Sequence, residues 1–117
     1  MKILGKAPEV SLHAARILEA FSSPERYAIM VSLERNKEGL SFSQLADLFH
    51  KNHNTLDRHL KVLTQSTLVW NFYERRQGKD HSFYRLSSLG NRLLRDLEDK
   101  IELTAQNTTR RERIATS

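Results

Sequence analysis

The chain has 117 residues, 38% of them hydrophobic, enough for one folded domain with a single core and too short for two. Cysteine is absent, which excludes disulfides, thiolate metal sites and cysteine nucleophiles together. Nineteen Lys and Arg against fourteen Asp and Glu leave +5, a prior for a polyanionic partner that only the placement of the charges can support.

Residues 1–8 read as a loose basic arm ending at Pro8, without the long apolar stretch of a signal peptide. Val10, Ala14, Ile17, Leu18 and Phe21 then recur with the spacing of an amphipathic helix. Ser22-Ser23-Pro24 ends it and opens a second, with Ser23 as N-cap and Pro24 at the first helical position. That helix carries Ala28, Ile29, Met30, Val31 and Leu33 on nearly all sides, the mark of a central helix. Gly39 closes it.

Ser41 and Gln44 have the spacing of a capping box, and Leu40 with Leu45 that of a hydrophobic staple, so a short third helix starts here. It is expected to end near His50-Lys51-Asn52. A fourth helix follows at once and runs to about Gln65, with Leu56, Leu60 and Leu63 as its buried seam. Two amphipathic helices joined by so few residues meet the requirement of a helix-turn-helix. Val69–Arg76 and His81–Leu86 read as strands of a hairpin around Gln77-Gly78-Lys79-Asp80. Ser88 is read as the N-cap of a last helix in which Leu93, Leu94, Leu97 and Ile101 keep an apolar seam to about residue 103. Residues 104–117 are expected to be a frayed basic tail.

The fold class is therefore mainly α with a small β-hairpin, a helix-turn-helix domain over residues 9–103 whose last helix occupies about 88–103. At about 100° per residue, the side of the fourth helix opposite its seam carries Lys51, Asn54, Arg58, Lys61 and Gln65, with Thr55 and Asp57 on the flanks. A helix fits the major groove, where Arg reads guanine and Asn reads adenine. The competing account is an ordinary solvated helix face; the helix-turn-helix before it and the hairpin after it favour reading. Asp57 stands four residues before Lys61, so the two can pair. Residues 51–85 hold seven cations (51, 58, 61, 75, 76, 79, 85) against three acids (57, 74, 80). Arg75, Arg76, Lys79 and Arg85 cluster about the hairpin turn, where they would hold phosphates and set the register of the helix.

The sequence resembles the ArsR-type winged helix-turn-helix regulators, most closely archaeal-looking members. The resemblance covers about residues 15–98, through F-S-S-P-E-R-Y-A-I-M, G-L-S-F-S-Q-L-A, N-T-L-D-R-H-L-K-V-L, the paired E-R-R and S-F-Y-R-L, and S-S-L-G. It implies that the fourth helix is the recognition helix, the hairpin the wing, and the first and last helices the contact between two copies. His53, Asn54, Thr55, Asp57, Arg58 and His59 fall where the family places DNA-facing residues. Two departures stand out: Asp57 where a small hydroxyl residue is usual, and Thr67 in place of a glycine before L-V. The metal-sensing branch is not matched, because its thiolate pair has no counterpart.

No enzyme motif is present: there is no phosphate-cradling glycine loop and no H-E-x-x-H. His50 and His53 are separated by the turn, so no metal site or other cofactor is expected. Trp70, Phe72 and Phe83 are expected to pack across the strands, with stacking on single-stranded nucleic acid or an effector as the sharper alternative. The expected partners are duplex DNA and a second copy, with no membrane and an effector undefined. Val10, Ala14, Ile17, Leu94, Leu97 and Ile101 are expected at the dimer contact, since a lone domain gains little from an apolar stripe that outruns its core. The function expected is a cytoplasmic, nucleoid-associated, sequence-specific transcriptional regulator. The alternative is a winged-helix module that binds a protein or coats DNA without sequence preference.

Overall fold

The structure is a computed structural model that describes residues 5–116, with side chains described through residue 106. Five helices and three strands follow one another as α1 (Leu12–Phe21), α2 (Pro24–Arg35), β1 (Leu40–Ser41), α3 (Phe42–Phe49), α4 (His53–Gln65), β2 (Val69–Arg76), β3 (Lys79–Leu86) and α5 (Ser88–Thr116). No described helix is long and apolar enough to cross a membrane.

The caps foreseen from the sequence form. Ser23 Oγ accepts from Arg26 N with Pro24 in the first turn, and Ser41 with Gln44 completes a capping box. Leu40 and Leu45 are both buried, so the staple around that box closes as well. Ser11 and Asn52 cap α1 and α4. For α5 the cap is Ser87 rather than Ser88: Ser87 Oγ accepts from Gly90 N at 3.0 Å. Either serine satisfies the spacing. Ser87 takes the role because its own N–H is tied to Leu68 O at 2.9 Å, which fixes where the chain turns.

The sheet is antiparallel in the order β1-β3-β2, and β1 pairs Leu40 with Tyr84 and Ser41 with Phe83. The two-residue β1 was not foreseen, being too short to show a period. The hairpin is also tighter than expected. Gln77 and Gly78 both have positive φ, so a two-residue turn joins the strands and β3 begins at Lys79.

The core gathers Ile29, Met30 and Leu33 of the central α2, Leu45 of α3, the α4 seam Leu56, Leu60 and Leu63, and Leu68, Val69, Tyr84 and Leu94. At about 25 cal/mol per Å² of apolar area, each fully buried leucine stabilises the domain by roughly 1.5–3 kcal/mol. Gly90 is where α5 crosses the start of the wing, and a Cβ there would collide with the Leu68 carbonyl. The α5 backbone stays helical to Thr116, past the end of its apolar seam. Once nucleated, a helix propagates on backbone hydrogen bonds and side-chain propensity and needs no buried face.

Candidate nucleic-acid interface

Leu56, Leu60 and Leu63 anchor α4 in the core, which turns Asn54, Arg58, Lys61 and Gln65 outward into solvent. Thr55, Asp57 and His59 lie half-buried on the flanks, as periodicity required. His50, in the left-handed region at φ 48°, ends α3, and His53 packs edge-on against Phe42 at 5.3 Å between ring centroids. These two histidines have separate structural duties at the helix-turn-helix turn.

The charges on this face are not equally available. Lys61 Nζ sits 2.9 Å from Asp57 Oδ2, one helical turn away. Lys51 Nζ lies 3.1 Å from Glu25 Oε1 in the first turn of α2. Arg58 has no hydrogen bond or ion pair among the described residues, which leaves its guanidinium free for a ligand. Asp57 therefore does what its spacing allowed and holds Lys61.

Sequence reasoning missed the group that docks α4 on α2. His59 Nε2 lies 2.7 Å from Glu25 Oε2, and its Nδ1 lies 3.1 Å from Arg26 Nη1. A guanidinium can only donate, so Nδ1 accepts and the ring proton sits on Nε2, donated to Glu25. Arg26 continues to the end of α1, donating from Nη2 to Glu19 O at 2.7 Å and from Nε to Ala20 O at 3.3 Å. One arginine thus satisfies the last carbonyls of α1 and the α4 histidine together. Hydrogen bonds from Lys51 and then His59 hold the Glu25 carboxyl below its usual pKa. Beside this group a cleft of about 610 Å³ opens between α1, α2 and α4, lined in part by Glu19, Arg26, Arg58 and His59.

The turn out of α4 explains the missing glycine. Thr67 adopts φ 63°, a conformation that a glycine takes freely and a β-branched residue adopts at a cost. It is held there by Thr67 Oγ1 donating to Ser66 O at 2.6 Å and by Ser87 Oγ donating to Thr67 O at 2.7 Å. His13 Nε2 of α1 lies 3.2 Å from Thr67 Oγ1 and 3.3 Å from Ser66 O, so α1 clasps the same turn.

On the wing, Arg75, Arg76, Lys79 and Arg85 are all exposed, and Arg76 lies within 4.5 Å of the Phe83 ring centre and 2.8 Å from Glu74. Phe72 and Phe83 stack across the strands, but Trp70 and Tyr73 stand exposed. Burial pushes the Tyr84 phenol above its ordinary pKa, and the Asp57 charge on the facing flank of α4 pushes the same way. Of the residues expected at a dimer contact, Val10 and Ile101 are exposed and Ala14, Ile17 and Leu97 half-buried. Leu94 is not available to a partner. It is fully closed inside its own core, because the first turns of α5 pack against α2.

A family described as helix-turn-helix domain matches residues 14–69, which span α1 to the start of β2. No curated protein matches by sequence. Among solved structures the chain is similar to HlyU from Vibrio cholerae, at 24% identity over 74% of this chain and 89% of that one, TM-score 0.59. It is similar to MepR of S. aureus, solved in a DNA complex, at 19% identity over 90% of this chain and 88% of that one, TM-score 0.64. A third is a homodimeric winged helix-turn-helix DNA-binding domain of Mycobacterium bovis, described as a possible ArsR-family transcriptional regulator, at 19% identity over 81% and 83%, TM-score 0.68. With the capped helix pair, the outward line of α4 and the wing already in place, the chain has the winged helix-turn-helix fold, and its residues 14–69 match the helix-turn-helix domain family.

Proposed function

We propose that the protein is a homodimeric regulator that reads duplex DNA in a sequence-specific manner, with α4 in the major groove and the wing on the flanking backbone. The observation that carries this is the exposed line Asn54, Arg58, Lys61 with an unpaired guanidinium at its centre, on a helix held rigidly from behind by its leucine seam and by Glu25 and Arg26. His53, Thr55 and Asp57 border that line, and Arg75, Lys79 and Arg85 supply phosphate contacts. Lys51 and Lys61 join in only by exchanging a carboxylate for a phosphate. The protein would act in the cytoplasm, on the nucleoid.

Pairing of two copies is supported by apolar side chains left uncovered just before α1 (Val10 62%), on α1 (Leu12 66%, Leu18 65%) and on α5 (Ile101 52%, Leu103 53% exposed). Half-buried Ala14, Ile17 and Leu97 border them. A two-fold protein calls for half-sites about one turn, roughly 34 Å, apart.

The test is selection of bound sequences from random duplex DNA, followed by affinity measurements on the best site. Arg58→Ala is expected to cost about 1–3 kcal/mol there and relax the preference at one position. Lys79→Ala should weaken all sequences alike. Equal binding of every sequence by the parent protein would instead make this a coating module, and no effect of Arg58→Ala would remove its reading role.

A further inference from the structure

A second cationic cleft lies beside the base of the wing, apart from α4. Strand alternation sends Tyr84 into the core and Phe83 to the other face of the sheet. On that face Phe72 and Phe83 stack with 5.7 Å between centroids, and Arg85 lies 5.5 Å over Phe72. Beside them is a cleft of about 370 Å³, walled by the end of α2, the loop to β1 and the end of β2. No residue of α4 lines it.

Three cations from two stretches of the chain line this cleft: Arg35 and Lys37 at and just past the end of α2, and Arg76 at the end of β2. Arg35 and Lys37 have no ion pair among the described residues, and Arg76 shares only one nitrogen with Glu74. Gln44 gives its carbonyl to the capping box, which leaves its amide N–H groups for a ligand. Leu40 and Phe83 form an apolar edge. Gly39 passes so close to Phe72 that a Cβ there would lie 3.1 Å from the ring, so the loop is pressed against the wing.

We propose that this cleft binds a small phosphate monoester, an effector site separate from the DNA-reading face. Three cationic groups match the three terminal oxygens of such a phosphate, one each, where a carboxylate has only two. Glu38 lines the cleft and Glu74 holds Arg76, so three cations against two acids leave one net positive charge. That balance suits a single phosphate and disfavours a polyphosphate or a stretch of nucleic-acid backbone. The leucine and phenylalanine edge takes the organic part. Arg76 directly precedes the Gln77-Gly78 turn, so an occupant that grips Arg76 also fixes the end of the hairpin that carries Arg75 and Lys79. Occupancy would thereby set how the wing meets DNA. The binding itself is independent of the DNA reading and is measured on the protein alone.

The probe is ribose 5-phosphate, titrated into isotope-labelled protein while backbone amide NMR shifts are followed at constant ionic strength, with ribose and a short duplex as parallel arms. Saturable shifts confined to residues around Lys37, Gly39, Gln44 and Arg76 are expected, and none with ribose. Arg35→Gln with Lys37→Gln, both exposed and so compatible with an unchanged spectrum elsewhere, should weaken the interaction about tenfold to a hundredfold by loss of charge-assisted hydrogen bonds. Arg58→Ala should leave it intact. Absence of saturation at millimolar ribose 5-phosphate, equal shifts in the double variant, or shifts at these amides with duplex but not with the sugar phosphate would each overturn the proposal.

Discussion

Neutralising Asp57 should tighten DNA binding while slightly loosening the fold, and the two effects can be sized separately. Asp57→Asn removes a carboxylate that holds Lys61 at 2.9 Å, with the side chains 46% and 67% exposed. An exposed pair one turn apart contributes only about 0.3–0.5 kcal/mol, so the unfolding midpoint should drop by roughly 1–3 °C. The freed Lys61 ammonium can neutralise one more phosphate, and each such contact steepens the dependence of log K on log salt by about 0.9. Relative to behaviour near 1 M salt, that amounts to about eightfold tighter binding at 0.1 M, or roughly 1.2 kcal/mol, an effect larger than the lost pair. Fluorescence anisotropy on a random-sequence duplex checks it. The advantage of the variant should shrink about 3.5-fold between 0.1 and 0.4 M salt, as one extra counterion requires. Unchanged affinity at every salt concentration, with the midpoint lowered as expected, would show that Lys61 does not meet DNA and refute the placement of this face. Tighter binding to random duplex combined with weaker binding to the selected site would assign Asp57 to a base as well as to Lys61.

Other perturbations probe how α4 and α5 are held. Glu25→Ala frees Lys51 in the same way, so the salt slope on random duplex should steepen by about 0.9 while discrimination between sequences falls, because His59 loses its acceptor; an unchanged slope would leave Lys51 away from phosphate. The Glu25 carboxyl has a folded pKa below its unfolded one, so its stabilising contribution is present above the ordinary carboxylate range and fades as pH falls through the folded value. Acid unfolding of Glu25→Ala should accordingly show a shallower loss of stability in that window than the parent, as followed by circular dichroism. Gly90→Ala would gain about 1 kcal/mol in an unobstructed helix, yet here it is expected to cost about 1–3 kcal/mol by pushing α5 off the Leu68 carbonyl. A urea midpoint that rises would show the crossing to be loose.

Much of the fold could be read in the residues because its signals are local. The Ser41 to Gln44 box, the Ser23-Pro24 start and the Leu56, Leu60, Leu63 seam depend on neighbours within one or two helical turns, and each took the form its spacing dictated. The outward direction of Asn54 and Arg58 followed from that seam by rotation alone. Elsewhere the local signal is degenerate or absent. Two adjacent serines could each cap α5, β1 has only two residues, and helix beyond residue 103 has no apolar stripe to announce it.

Residue order is enough to specify that a basic, cysteine-free chain of this length folds as a helix-turn-helix with a hairpin, and which side of α4 meets solvent. Which of its cations are free depends instead on the folded chain. Lys51 is claimed by Glu25, 26 residues away, Arg76 bends back over Phe83, and Arg26 spans from the carbonyls of α1 to His59, 33 residues on. The same holds for Thr67, whose strained backbone is secured by Ser87, 20 residues after it, and His13, 54 before it, and for Leu94, drawn into its own core. Helical periodicity acts over a few residues and is written in their order. The partner of a long flexible side chain is set by what the folded chain brings within about 3 Å of its tip, and no spacing rule encodes that distance.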